Sequence, residues 1–102
     1  MKRPVMWSRD VLDDLKQQLS YIATEDPDAA RKIVAKLRQT GEALGDFATG
    51  HPGRVSGTYE KAVSRLPYII AYALTLHQGR EVVAILRVVH TSRDWDADSW
   101  PS

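Results

Sequence analysis

The sequence predicts an α+β domain in which a helical hairpin packs on one face of an antiparallel sheet. Two observations favour this class. The first half of the chain carries two apolar stripes at helical spacing, and the second half carries three segments rich in β-forming residues between short turns. Helices and strands segregated in this way are typical of α+β folds. The predicted order is β-α-α-β-β-β, in a single domain that covers residues 1–102.

Residues 1–7 are expected to form an edge strand. Pro4 near its start lacks the N–H that an inner strand position needs, whereas an edge tolerates it. Residues 8–45 then form the helical hairpin, because the break between the two periodic segments is too short for any other connection. The apolar stripes consist of Val11, Leu12, Leu15, Leu19 and Ile22 in the first helix, and of Ala30, Ile33, Val34, Leu37, Gly41 and Leu44 in the second.

Helix ends can be placed from capping residues. Ser8 is a suitable N-cap for the first helix. Asp26 followed by Pro27 suits the start of the second, since proline at the first helical position sacrifices no hydrogen bond. Gly45 is the expected stop of that helix.

The second half divides into a loop, a meander and a tail. Residues 46–58 are dense in Gly, Pro, Ser and Thr and are predicted to be a loop. Residues 59–90 are predicted to be a three-stranded antiparallel meander, and residues 91–102 an acidic tail with two tryptophans. The expected strands are Tyr59–Leu66, Tyr68–Leu76 and Glu81–Val89, with a turn at residues 77–80.

Composition excludes several classes of function. The chain has no cysteine, which rules out disulfides, thiol catalysis and cysteine-based zinc sites. His51 and His77 show no ligand spacing, so neither a metal nor a cofactor is expected. No apolar run is long enough to span a bilayer, and we expect a cytoplasmic protein without a membrane partner. With 14 Lys and Arg against 13 Asp and Glu, the net charge of +1 indicates no particular partner.

Arg87 raises a question because it lies in the most apolar strand. Strict alternation would place Val82, Ala84, Leu86 and Val88 towards the helices, and Val83, Ile85, Arg87 and Val89 on the opposite face. By the same rule Tyr59, Lys61, Val63 and Arg65 share a face, which predicts a basic cluster away from the helices. A cation there needs a partner, either a carboxylate such as Glu60 or the pair Asp94 and Asp96, or a bound anion. Structural and functional roles both remain open.

Two motifs and the helical hairpin ahead of them resemble the RelE/ParE superfamily of bacterial toxins. The motifs are GRVSGTYEKAVSRLPYIIAY and VVAILRVVHTSRDW. The resemblance covers almost the whole chain except about the last five residues. It implies a toxin that is neutralised by an antitoxin encoded beside it. RelE-like members cut messenger RNA on the ribosome, whereas ParE-like members poison DNA gyrase by trapping it with cleaved DNA.

The ribonuclease branch resembles this chain least at the positions that carry its chemistry. That branch has an arginine just after the tyrosine that matches Tyr68, and often a tyrosine near the C-terminus. Here Ile69 follows Tyr68, and no tyrosine occurs after Tyr72. Cleavage through the 2′-hydroxyl needs a base, an acid and cations on the phosphate. The remaining candidates, of which only the histidine is a proton carrier, are Lys61, Arg65, Arg87 and His90.

The favoured interpretation is therefore a ParE-like gyrase poison with no catalytic residue and no cofactor. The alternative is a RelE-like ribosome-dependent endoribonuclease, and a third possibility is a degenerate toxin fold kept as an antitoxin-binding partner. The resemblance implies a ParD-like antitoxin in a hetero-oligomer, and we expect no sequence-specific DNA binding by the chain alone. The residues expected to contact antitoxin or target are Tyr59, Lys61, Val63, Arg65, Val83, Ile85, Arg87, Arg93 and Trp95.

Overall fold

A computed structural model of the chain describes residues 2–91. The predicted α+β class and the helical hairpin on one face of the sheet are confirmed, and the sheet has one strand more than expected. In chain order the elements are β1 (Val5–Trp7), α1 (Arg9–Glu25), α2 (Pro27–Asp46), β2 (His51–Pro52), β3 (Tyr59–Ala62), β4 (Tyr68–His77) and β5 (Arg80–His90). Neither described helix has the length and apolar character needed to cross a bilayer.

The five strands form one sheet in the order β1-β5-β4-β3-β2. Strand β1 runs parallel to β5 at the edge, with Val5 opposite Val83, and the other neighbours are antiparallel. Pro4 donates nothing to the ladder, but its carbonyl oxygen accepts the N–H of Val83 at 2.9 Å. The expected edge position of the first strand is confirmed.

Both predicted helix starts are confirmed. The Ser8 side chain accepts the N–H of Val11 at 3.1 Å, and the Asp26 carboxylate accepts that of Ala29, also at 3.1 Å. Each bond satisfies one of the N–H groups that the first turn of a helix leaves without a partner. Pro27 occupies the first turn of α2, as expected.

The predicted helix stop at Gly45 is wrong, because α2 continues to Asp46. Gly45 is buried and serves close packing instead of ending the helix. A Cβ atom at this position would lie 2.5 Å from the carbonyl oxygen of Arg3, and the N–H of Arg3 donates to the Gly45 carbonyl at 2.8 Å. A glycine therefore lets the strand entry cross α2 at backbone contact distance.

The region between α2 and β3 is not entirely loop. His51 pairs with Glu60 and Pro52 with Tyr59, which makes β2 a short outer strand. Two residues that include a proline give no alternating pattern, so the sequence does not reveal this strand. Proline suits it, since β2 lies at the edge of the sheet.

Strand β3 is shorter than predicted and ends at Ala62 rather than Leu66. The N–H of Val63 donates to the Tyr68 carbonyl at 2.9 Å, which closes a turn between β3 and β4. Arg65 has a φ of 66° within this turn, a left-handed conformation that no strand residue adopts.

The β4–β5 hairpin has the expected tight turn. Gln78 and Gly79 both have positive φ, 53° and 77°, which is the pattern of a type I′ turn. Further along, Ala71 faces Arg87 while Tyr72 faces Ile85, so Leu86 is an additional residue in β5. This β-bulge shifts the alternation of side chains by one position.

Two features of β5 decide which side chains meet the helices. One is the bulge, and the other is the phase of the strand, that is, which of its alternating residues face inward. Val83, Ile85 and Val88 lie in one buried cluster with Val11, Leu37 and Leu44 of the helices, so this side is the inner face of the sheet. The predicted inward orientation is confirmed for Val88 and is wrong for Val82, Ala84 and Leu86. These three lie on the opposite side, the outer face, together with the register-matched Glu60, Ala71 and Arg87.

Candidate functional site

Arg87 occupies the outer face directly after the bulge. Across β4 its neighbour is Ala71, and across β3 the neighbour of Ala71 is Glu60. Ala71 is fully buried and Glu60 is 5% exposed, while Arg87 is half-buried. The guanidinium and the carboxylate thus flank a small side chain on one surface. Arg87 takes part in a further polar or electrostatic interaction, so it is not an isolated cation.

Glu60 is held in place by the loop that precedes β3. Its carboxylate accepts the backbone N–H of Arg54 at 2.8 Å, and a Cβ atom on Gly53 would lie 3.2 Å from the same oxygen. A buried carboxylate is stable only when such donors compensate for lost hydration. Glu60, a suggested partner of Arg87, is therefore already engaged by the backbone of this loop.

The basic candidates of the ribonuclease alternative do not converge. Lys61 is opposite Ile70 and so lies on the inner side of the sheet, next to α2. His90 is opposite Tyr68, and their rings meet edge to face with centroids 5.2 Å apart. Arg65 is exposed in the turn after β3. The predicted basic cluster on the side away from the helices is wrong, because Lys61 and Arg87 are on opposite faces.

His90 lies on the face opposite Arg87, as its position in the sequence suggested. The bulge precedes both residues, so the strand is regular between them. Among the described residues the histidine in register with Arg87 is His51, which pairs with Glu60, the neighbour of Ala71 across the sheet. With strands about 4.8 Å apart, His51 and Arg87 are separated by roughly 14 Å across the sheet. Proton carrier and phosphate-binding cation are therefore not brought together at Arg87.

Three residues expected to contact antitoxin or target belong to the core. Val63, Val83 and Ile85 are at most 3% exposed, so none offers a binding surface. The prediction placed them on an uncovered face, and the phase of β5 explains the error for Val83 and Ile85. Tyr59 is half-buried and stacks on Tyr72, with ring centroids 5.6 Å apart. Arg93 and Trp95 lie outside the described residues.

Tyr72 fixes the end of the loop that follows α2. Its hydroxyl accepts the N–H of Gly50 at 2.8 Å, and a Cβ atom on Gly50 would lie 2.5 Å from that oxygen. Burial raises the pKa of Tyr72 above its ordinary value of 10.0, an effect that the Gly50 bond partly offsets. The phenol is therefore a neutral structural group at physiological pH.

An apolar groove lies between α1 and α2, with a volume of about 710 Å³. Leu12 and Val34 are 51% and 44% exposed there, which is unusual for apolar side chains at helical spacing. The charged residues along it are all cations, Lys16, Arg31 and Arg38. We refer to this surface as the hairpin groove.

The hairpin groove continues into a smaller cavity of about 210 Å³ at its end. Leu12, Leu15 and Val34 line both spaces, and the half-buried indole of Trp7 closes the far side. The Trp7 Nε1 donates to Glu42 at 3.3 Å, which fixes the ring. Together the two spaces can receive a row of apolar side chains and one larger anchor.

Comparisons with known proteins place the chain in a family. Residues 5–95 match the family model described as ParE toxin of type II toxin-antitoxin system, parDE. The chain is also 34% identical over 95 residues to the Sinorhizobium fredii protein Y4kP, which is named as a toxin, and the match covers 92% of this chain and 94% of that protein.

The chain belongs to the ParE toxin family. A solved structure titled as the chromosomal ParDE TA system from P. aeruginosa has the same fold, with a TM-score of 0.77 and 20% identity over 89% of this chain and 98% of that one. The predicted membership of the RelE/ParE superfamily is confirmed, on the ParE side.

In this ParE-family chain the hairpin groove was not anticipated from the sequence. Each helix stripe suits packing against the sheet, yet each contains adjacent apolar residues, such as Leu12 beside Val11 and Val34 beside Ile33. A stripe of that width exceeds what one contact with a sheet buries. Doubled apolar positions were therefore the available signal. Within residues 2–91 no group of His, Asp and Glu side chains is placed to hold a metal ion.

Proposed function

We propose that this ParE-family protein is a cytoplasmic toxin that stops growth by poisoning DNA gyrase. In this proposal the toxin traps gyrase with cleaved DNA and has no nuclease activity. The observation that carries this proposal is the separation of the basic candidates over the two faces of the sheet, within a chain whose family is ParE. A binding inhibitor needs no convergent acid and base.

Cleavage of RNA through the 2′-hydroxyl would need such convergence. Base, acid and phosphate-binding cation must all reach one phosphodiester within hydrogen-bond distance. Here Arg87 is on the outer face, whereas Lys61 and His90 are on the inner side. Ile69 lies on the outer face beside Val89, so it supplies no cation next to Arg87. These placements argue against the ribonuclease alternative.

We also propose a cognate antitoxin of the ParD type that forms a hetero-oligomer with this chain through the hairpin groove. A solved ParDE system with the same fold supports a partner of this kind. The groove is apolar along its floor, and its described charges are cationic, which suits an amphipathic helix with acidic residues along its sides. A contiguous apolar surface rimmed by charged residues is a common feature of protein–protein interfaces.

Expression of the protein without its antitoxin tests the proposed toxicity. Cells should stop dividing, form filaments and induce a DNA-damage response while messenger RNA remains intact. Co-expression of the product of the neighbouring gene should restore growth. Cleavage of messages at defined codon positions on ribosomes would refute the gyrase proposal and favour the ribonuclease alternative.

A further inference from the structure

A second cleft lies between α2 and β3, away from the hairpin groove, and has a volume of about 450 Å³. The polar residues that line it include Lys36, Gln39, Thr49, Lys61 and Ser64. The described residues that line it include no carboxylate. We call it the lysine cleft. Both charged residues that line it are lysines, and the other lining residues are neutral polar or apolar.

The two lysines are half-buried, and within residues 2–91 neither forms a salt bridge. Lys61 points into the cleft because its cross-strand neighbour is the core residue Ile70. Lys36 approaches from α2 on the opposite wall. Two lysines around one concavity, with no carboxylate among the described residues that line it, give the cleft a positive potential. An anion is therefore the ligand that this charge favours.

Phe47 adds an aromatic surface to the same cleft. It follows the last residue of α2, lines the cleft and is 75% exposed. A phenyl ring left in water beside two cations offers a stacking platform for a planar group attached to an anion. Nucleotides combine these two features, and single-stranded nucleic acid binds proteins through such pairs of cations and aromatic rings.

We propose that the lysine cleft binds the phosphodiester backbone of single-stranded nucleic acid without sequence preference, with a phosphate between Lys36 and Lys61 and a base on Phe47. The site is distinct from the hairpin groove, because at 100° per residue Lys36 and Ala43 lie on a different face of α2 from Val34 and Arg38. The proposal does not depend on which target the toxin inhibits.

The test is titration of a fluorescein-labelled single-stranded oligothymidylate with the full-length protein, followed by anisotropy at several salt concentrations. Lys36→Gln and Lys61→Gln should each weaken binding several-fold and reduce the slope of log K against log salt by about 0.7. Phe47→Ala should weaken binding roughly tenfold and leave the slope unchanged, since stacking releases no counterions.

Matched controls isolate the cleft. Lys16→Gln removes the same charge from α1, and Tyr21→Ala removes an aromatic ring of similar exposure, 73%, from the same helix. Both should bind like the unmodified protein. Lys36→Arg should retain affinity and slope, and thermal melts of all variants should coincide, which excludes loss of fold as the cause.

Three results would overturn the proposal. The first is the absence of measurable binding at low salt, and the second is an equal loss of binding in Lys16→Gln and Lys36→Gln. The third is efficient competition by a poly-glutamate peptide together with unchanged binding by Phe47→Ala, which would make the cleft a site for acidic protein segments.

Discussion

The hairpin groove and the outer face of the sheet differ in how they treat apolar side chains. In the groove, Leu12 and Val34 remain about half exposed although they sit in well-formed helices. On the outer face, Val82 and Val89 are only 3% and 5% exposed, although the helices pack on the other side of the sheet. The outer face carries the charged Arg87 in an apolar strand, whereas the groove carries exposed apolar surface.

Arg87 and Leu12 are both unusual for their surroundings, but for different physical reasons. Arg87 is half-buried, has an interaction partner and lies on the same face as a buried carboxylate, all of which suit a structural role. Leu12 is chemically ordinary, and its exposure is unfavourable for an isolated chain. Exposed apolar area therefore indicates partner binding here, whereas the buried charge indicates stabilisation of the sheet.

The largest expected effect is in the groove. Replacing Leu12 and Val34 together by glutamate should weaken binding of the antitoxin by at least a hundredfold. The two new carboxylates would lie among the apolar anchors, offset the positive charge of the groove and repel the acidic residues of the antitoxin. The melting temperature of the toxin should change little, since both side chains are exposed. Calorimetric titration of the purified neighbouring gene product measures the affinity.

Gln17→Glu is the control for this experiment, because Gln17 is exposed on α1 and is not among the described residues that line the groove. It adds a negative charge to the same helix and should bind normally. Undiminished binding by the double variant would show that the antitoxin uses another surface and would remove the contrast between the two regions.

A smaller effect is expected for Arg87. The Arg87→Ala variant should lower the free energy of unfolding by about 2 kcal/mol, because its partner loses the guanidinium in a partly desolvated place. Arg87→Lys should recover only part of this, since an ammonium cannot reproduce the planar fork of donors. Urea denaturation measures both, with the exposed Arg80→Ala in the same strand as control. An unchanged stability of Arg87→Ala would contradict the structural role.

The smallest effect concerns Tyr72. Tyr72→Phe leaves the N–H of Gly50 without its acceptor and should cost about 1 kcal/mol at neutral pH. The folded-state pKa of Tyr72 is raised by burial, so its contribution to stability is complete below pH 10 and is lost as the pH rises above that value. The difference between the two proteins should therefore shrink in alkaline solution. A difference that is constant with pH would be inconsistent with the raised pKa.

Local signals in the sequence were sufficient for the parts of the fold that depend on local chemistry. Ser8 and Asp26 are caps whose side chains reach N–H groups three residues away. Gln78 and Gly79 form a turn whose positive φ angles suit few residue types. Such features follow from the nearest neighbours in the chain and were predicted correctly.

Features that depend on distant contacts were not predictable. Because β5 is apolar on both faces, its composition does not reveal which of its residues face the helices. The residues around Leu86 also give no signal of a bulge. In the sequence Gly45 resembles a helix stop, and only the fold shows that the backbone of Arg3 packs against it. The same limit applied to the site, since Lys61 could be assigned to a face only from its pairing with Ile70.

The proposed function is inhibition of gyrase by binding, without cleavage of RNA. The most direct measurement adds the purified protein, without antitoxin, to a gyrase supercoiling reaction and to a cell-free translation reaction at the same concentrations. If the protein poisons gyrase, supercoiling should be lost and cleaved DNA should accumulate after protein denaturation, while translation from intact messages continues undiminished. Normal supercoiling together with blocked translation and cleaved messenger RNA would contradict it.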